Sequence, residues 1–284
     1  MGNGPLRNWL VGACLLLPAG LLGHMDPVGD VHPHVSVKNG MFVVEFNNNK
    51  SQELNHRSEF RVVYSKEGDV ILPRHPIEKR SAIFKSGWYG GTTQVVGDKV
   101  YRVDENAQVL QELVDDKVVA THPLGWKDGK PPLEIFEDFL VVEDSLYILG
   151  TLLEMDRGYD DPKLQIARFS LDQVGPPEVY PVGAVASIYH FPTCSGLQLV
   201  GDKICLAWMG EHPEKERKRS FLLTALDTKE NRMQTKELPD EYYWNTQVSL
   251  AAIGHRICIA WHHGRIYGEF QESKIKTIFM DLSE

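Results

Sequence analysis

Three stretches of this sequence set aromatic side chains directly before small polar ones. They are Gly87-Trp88-Tyr89-Gly90-Gly91-Thr92-Thr93, Tyr189-His190-Phe191-Pro192-Thr193-Cys194-Ser195 and Glu241-Tyr242-Tyr243-Trp244-Asn245-Thr246-Gln247. Aromatic faces beside amides and hydroxyls suit sugar rings, whose C–H faces stack while their hydroxyls take hydrogen bonds. Trp88, Tyr89, Tyr189, His190, Tyr243, Trp244 and Asn245 are therefore candidate ligand-binding residues, with His262 beside them. The same aromatics also serve as wedges between packed sheets, a purely structural use. Histidine offers a second chemistry. His32 and His34 are two apart, so on a strand they share a side, and His262-His263 form a second pair. Imidazoles gathered this way bind Zn²⁺ or a similar ion, although no HExxH or comparable spacing accompanies them. No cofactor is expected, and a divalent metal at His32, His34, His262 and His263 is the alternative. Gly90-Gly91 lacks the Lys-Ser/Thr of a phosphate loop, and Thr193-Cys194-Ser195-Gly196 lacks a nucleophile-elbow frame.

The elements that must position these residues are legible as a repeat. An apolar strand, a tight turn and a second apolar strand recur five times: His34–Phe46, Thr93–Asp104, Phe139–Gly150, Leu197–Trp208 and Leu250–Trp261. Their turns are Asn39-Gly40, Gly97-Asp98, Glu143-Asp144, Gly201-Asp202 and Gly254-His255, spaced 57, 47, 57 and 53 residues apart. A period near fifty with strands inside each unit predicts an all-β β-propeller of five four-stranded blades. Two further strands follow most copies, and no segment carries a helical period. The fifth copy has one further strand, Ile275–Met280, before the chain stops, so the sequence leaves ring closure open. In a propeller the first strand of each blade lines the channel. The segments arriving from the previous blade then meet at one channel mouth, where the aromatic stretches and histidines would gather.

Composition excludes several partners. With 30 Lys+Arg against 39 Asp+Glu the formal net charge is −9, which disfavours nucleic acid and anionic lipid. Arg7 followed by the short apolar run Trp9–Gly23 reads as a signal peptide over residues 1–23, leaving 24–284 as a single exported domain with no membrane span. Destinations consistent with this are the periplasm, cell surface or medium. Beyond the signal only Cys194, Cys205 and Cys258 remain, which is no disulfide framework. Cys205 and Cys258 occupy one slot of two repeats and read as core filler.

Two resemblances add to this reading. The Ala207-Trp208 and Ala260-Trp261 strand ends, with their Gly-Asp-Lys-Ile and Gly-His-Arg-Ile turns, resemble blades of sialidase-like propellers, without the Asp-box or an arginine triad. The opening His32-Pro33-His34-Val35-Ser36-Val37-Lys38-Asn39-Gly40-Met41-Phe42 resembles that of five-bladed arabinanase-type glycoside hydrolases. That resemblance implies a base at His32, where the family has Asp, and a general acid at Glu134. Gly91-Thr92-Thr93 stands where the family has its third carboxylate, so Glu137, Asp138 or Asp156 would have to substitute for the base. The leading expectation is an exported recognition module that binds a carbohydrate or a protein partner at the channel mouth. The alternative is a glycoside hydrolase using Glu134 with a substituted base. A non-catalytic scaffold, which would show an extended apolar patch on its rim or outer strands, is the third.

Overall fold

The computed structural model describes residues 29–49, 57–77, 93–104, 109–124, 135–152, 163–185, 194–211, 219–239, 247–263 and 274–283. They form five antiparallel sheets, one per repeat. The first contains β1 (Gly29–Lys38), β2 (Met41–Asn49), β3 (Arg57–Tyr64) and β4 (Val70–Pro76). The second contains β5 (Thr93–Val96), β6 (Lys99–Asp104), β7 (Val109–Val114) and β8 (Lys117–Pro123). The third runs β9 (Ile135–Val142), β10 (Ser145–Leu152), β11 (Lys163–Ser170) and β12 (Glu178–Ala184). The fourth runs β13 (Gln198–Val200), β14 (Lys203–Glu211), β15 (Arg219–Asp227) and β16 (Arg232–Glu237). The fifth holds β17 (Val248–Ile253), β18 (Arg256–His263) and β19 (Lys274–Asp281). This is the five-bladed propeller that the repeat predicts, with one difference: the fifth sheet has three described strands rather than four. No helix among the described residues is long and apolar enough to cross a membrane. Residues 1–23, read as a signal, lie outside the described residues.

Turn chemistry fixes the registers. Asn39 (φ 53°) and Gly40 (φ 71°) both take left-handed backbone, the combination that closes a two-residue hairpin without splaying its strands. Lys38 consequently faces Met41, and alternate residues of β2 divide between the two faces of the sheet. Phe42, Val44 and Phe46 pack with Ala251, Cys258 and Ala260 of the fifth sheet. The same division repeats around the ring. Separate buried clusters join the second sheet to the third, the third to the fourth and the fourth to the fifth. First strands of neighbouring sheets touch: β17 with β1, β5 with β9, β9 with β13 and β13 with β17. They are therefore the innermost strands, and the turns ending them share one face while their starts share the other.

Repeat-equivalent residues have equivalent jobs. Trp208, fully buried, faces the third sheet and donates its indole N–H to Thr224 Oγ1 at 2.9 Å. Trp261 faces the fourth sheet and tilts against Phe221, with ring centroids 4.8 Å apart. Cys205 and Cys258 each face the following sheet and are fully buried as free thiols, the filler role expected of them. The ring joins its ends by packing. Phe279 of β19 lies 5.7 Å from the Phe42 ring and 5.1 Å from Tyr64, and a Cβ on Gly68 would come within 2.8 Å of it. Arg256 Nη2 adds a hydrogen bond to the Glu67 carbonyl at 2.9 Å. Phe279→Ala should therefore cost about 3 kcal/mol in urea unfolding. A loss below about 1 kcal/mol would show that this aromatic cluster does not hold the fifth blade to the first.

Candidate functional site

At the mouth of the ring the innermost strands depart from regular pairing. In β9, Asp138 faces Leu149 and Phe136 faces Gly150, so Glu137 is the extra residue of a β-bulge. In β1, Val31 faces Asn47 while His34 faces Glu45, which leaves one extra residue at His32-Pro33. The fourth sheet shows the same. Cys194 bridges Trp208 and Ser195 donates its N–H to the Ala207 carbonyl at 2.7 Å, yet β13 resumes with Gln198 facing Cys205. Bulges re-aim side chains and recur next to functional sites.

The irregularities of the third and fourth sheets are physically linked. The Ser195 hydroxyl accepts the Ala207 N–H at 3.0 Å, and the Leu197 N–H donates to Asp138 Oδ2 at 2.8 Å. A Cβ on Gly196 would stand 2.5 Å from that oxygen, so glycine is what lets the carboxylate reach across from the third sheet to the fourth.

Burial governs the electrostatics here. Partial burial, reinforced by the charge of Asp138, pushes the Glu137 carboxyl up to about 7. Burial also pushes Asp138 up to about 6, against the opposing pull of the Leu197 and Phe139 N–H donors. Near neutral pH Glu137 thus exchanges a proton readily, the property wanted of an acid–base group. Cys194, buried beside both carboxyls, has its thiol held well above its usual range by burial and then by their charges. A thiol held in its protonated form is a poor nucleophile.

Of the residues singled out in the sequence, His34, His262 and His263 are described in full. His34 lies opposite Glu45, and burial lowers its pKa although Glu45 pulls the other way. Glu45 itself is fully buried and held by Arg61 through Nε at 2.8 Å and through Nη2, with Lys38 at 3.9 Å. His262 is buried on β18 opposite Ile275 and donates its backbone N–H to the Gln247 carbonyl at 3.3 Å. His263 faces Lys274. Among the described residues no three His, Cys, Asp or Glu side chains gather to hold a metal ion. His32 is placed in β1 by its backbone, and its side chain lies outside the described residues. Glu134, Trp88, Tyr89, Tyr189, His190, Tyr243, Trp244 and Asn245 also lie outside them. The structure instead brings forward Glu137 and Asp138. The signal for them in the sequence is two adjacent carboxylates interrupting the apolar run Ile135-Phe136-Glu137-Asp138-Phe139-Leu140.

No protein-family model and no curated protein matches the chain. Several solved structures are similar to it. A member of the DUF4221 family from Bacteroides vulgatus has 9% identity and a TM-score of 0.45, with 90% of this chain and 79% of that one covered. An α-L-arabinofuranosidase from Clostridium thermocellum has 10% identity and a TM-score of 0.40, with 81% of each chain covered. A β-fructofuranosidase from Bombyx mori in complex with sucrose has 16% identity and a TM-score of 0.43, with 91% of this chain and 62% of that one covered.

The raised carboxyls carry a stability consequence. Both hold protons in the folded state that they release when unfolded, over a window running from their ordinary values near 4 up to about 6 and 7. Their contribution to stability is therefore complete at the acid end and is lost as pH rises through 6 to 7. Glu137→Gln, which removes the charge and keeps the shape, should raise stability by about 2 kcal/mol at pH 8 and leave it nearly unchanged at pH 4.5. Thermal melts of both proteins across that range test this, and parallel curves would contradict a raised Glu137.

Proposed function

We propose that the mouth of the ring binds a carbohydrate and that Glu137 is its proton-bearing group. The observation that carries this reading is a partly buried carboxyl on a bulge of an innermost strand, with its pKa pushed up to about 7. Near neutral pH it offers a sugar hydroxyl both an O–H donor and a carbonyl acceptor. The sequence supplies the complementary surface: the segments leading into β5, the fourth sheet and β17 are those with aromatics beside small polar residues. An acidic chain with a proton-bearing carboxyl and aromatic-rich segments in its sequence fits a neutral, hydroxyl-rich ligand better than an anionic one.

Binding is favoured over hydrolysis by what Asp138 does. Inverting and retaining glycoside hydrolases both need two carboxyl groups flanking the scissile bond. Asp138 is adjacent to Glu137 in the chain and engaged with the Leu197 and Phe139 N–H groups, so it is committed to the joint between sheets. Hydrolysis remains the second reading, favoured by the pKa of Glu137, which suits a general acid at neutral pH.

Glycan-array screening followed by calorimetry at pH 6 and pH 8.5 tests both readings. Wild-type binding should weaken about tenfold as Glu137 loses its proton, a loss near 1.4 kcal/mol. Glu137→Gln should bind equally at both pH values, and Glu137→Ala should bind poorly at either. Release of reducing ends by wild type, abolished in Glu137→Gln with binding intact, would establish hydrolysis. Absence of glycan binding by wild type, or indifference to Glu137→Ala, would overturn the proposal.

A further inference from the structure

Glu137 and Asp138 are neighbours in the chain, yet the fourth blade treats them differently. The Leu197 N–H donates to Asp138 Oδ2 at 2.8 Å, and the Phe139 N–H serves Asp138 as well. Among the described residues no such donor reaches Glu137. Backbone N–H donors stabilise a carboxylate and do little for the neutral acid. Burial disfavours charge on both groups, so these donors decide between them. Two adjacent carboxyls do not ionise independently, because the first charge opposes the second. The first proton to leave comes from the group whose anion is supported, and the other group keeps its own.

The donor is delivered by a segment of the fourth sheet that is fastened on both sides. Cys194 bridges Trp208, which is fully buried. Ser195 grips Ala207 twice, donating its N–H to the carbonyl at 2.7 Å and accepting the Ala207 N–H at 3.0 Å. Gly196 follows, and a Cβ there would stand 2.5 Å from Asp138 Oδ2, so glycine is what admits the bond. Leu197 is buried in the cluster that joins the third and fourth sheets. Among the described residues the one further titratable group beside the pair is Cys194, whose thiol burial and their charges keep protonated. No described cation offsets either carboxyl.

We infer that the fourth blade decides which carboxyl keeps the proton: the Leu197 N–H, admitted by Gly196, holds Asp138 as the anion and leaves the proton on Glu137. Asp138 is then a positioning residue that acts through Glu137. The order of the two groups, Asp138 at about 6 and Glu137 at about 7, agrees with this. Loss of the bond exchanges the roles. Asp138 without its donor is the costlier anion, so it takes the proton and Glu137 becomes the charged member. One proton moves between adjacent carboxyls and the net charge is unchanged. The significance of this for the mouth rests on the proposed role of Glu137, whereas the location of the proton belongs to the free protein and is measured without ligand.

Carbon-13 NMR titration of the side-chain carboxyls in the full chain, assigned with Glu137→Gln and Asp138→Asn, is the test. In wild type Asp138 should ionise before Glu137, and the Leu197 amide proton should shift with the Asp138 step. Gly196→Ala should reverse the order, with the proton affinity of Glu137 falling at least about threefold and that of Asp138 rising. Should that variant fail to fold, Asp138→Asn replaces it. With the neighbouring charge gone, Glu137 should again lose about threefold in proton affinity, yet stay above an exposed glutamate because burial, the larger cause, persists. A purely structural joint would leave the Glu137 midpoint unmoved in both variants. That result overturns the inference, as does Glu137 ionising before Asp138 in wild type or a Leu197 amide indifferent to the Asp138 step. Absence of glycan binding with these midpoints as expected would overturn the proposed function alone. Glycan binding with unmoved midpoints would overturn only the control by the fourth blade.

Discussion

The innermost strand of a blade has a partner on one edge only, and its other edge presents backbone N–H groups toward the ring. Left unpaired in a dry interior, each would cost free energy comparable to a lost hydrogen bond. The structure meets this constraint with polar side chains from the neighbouring innermost strand. Ser249 of β17 accepts the Val35 N–H at 2.9 Å, Gln94 of β5 accepts the Val141 N–H at 2.7 Å, and Asp138 of β9 accepts the Leu197 N–H at 2.8 Å. These contacts fix first strands to one another where the seam clusters, built from second and third strands as well, cannot reach. They explain why the channel side of an otherwise apolar repeat carries Ser, Gln and Asp.

The third of these joints differs from the other two in kind. A hydroxyl or amide performs the task without charge, whereas a carboxylate incurs desolvation, as the raised pKa of Asp138 records. The site also demands Gly196 and an interrupted strand on the receiving blade. The result is a rigid connection directly beneath Glu137, so that the bulge carrying it has a fixed base. Precise placement of a reactive or binding side chain depends on such support.

The sequence made the architecture legible because hairpin turns and alternating strands are local signals repeated five times. Asn39-Gly40 and Gly201-Asp202 announce their turns, and LQIARFSL (Leu164–Leu171) reads as a strand whose apolar residues divide between two packed faces. Joints between blades are not legible in the same way. Nothing local distinguishes Gln94, which holds the third blade, from Arg102, which lies exposed against Gln111. Bulges are equally silent, since one extra residue changes no composition. Glu137 and Asp138 entered the sequence reading only as substitutes for a missing base, and what singles them out is burial, a property of the assembled ring.

The two faces of the ring follow opposite physical logics. At the mouth, charge is drawn into partial burial: two influences act on Glu137, desolvation and the neighbouring Asp138, and both favour the neutral acid. Packing alone gives no reason for this arrangement, because a glutamine would fill the same volume without the desolvation cost, and Asp138 already supplies the bond between blades. On the turn face, apolar side chains such as Val95 are left in water. Natural sequences depart from local consistency chiefly at functional sites. Glu137 and Asp138 at the mouth are such a departure, and the bond from the Leu197 N–H to Asp138 holds it in place.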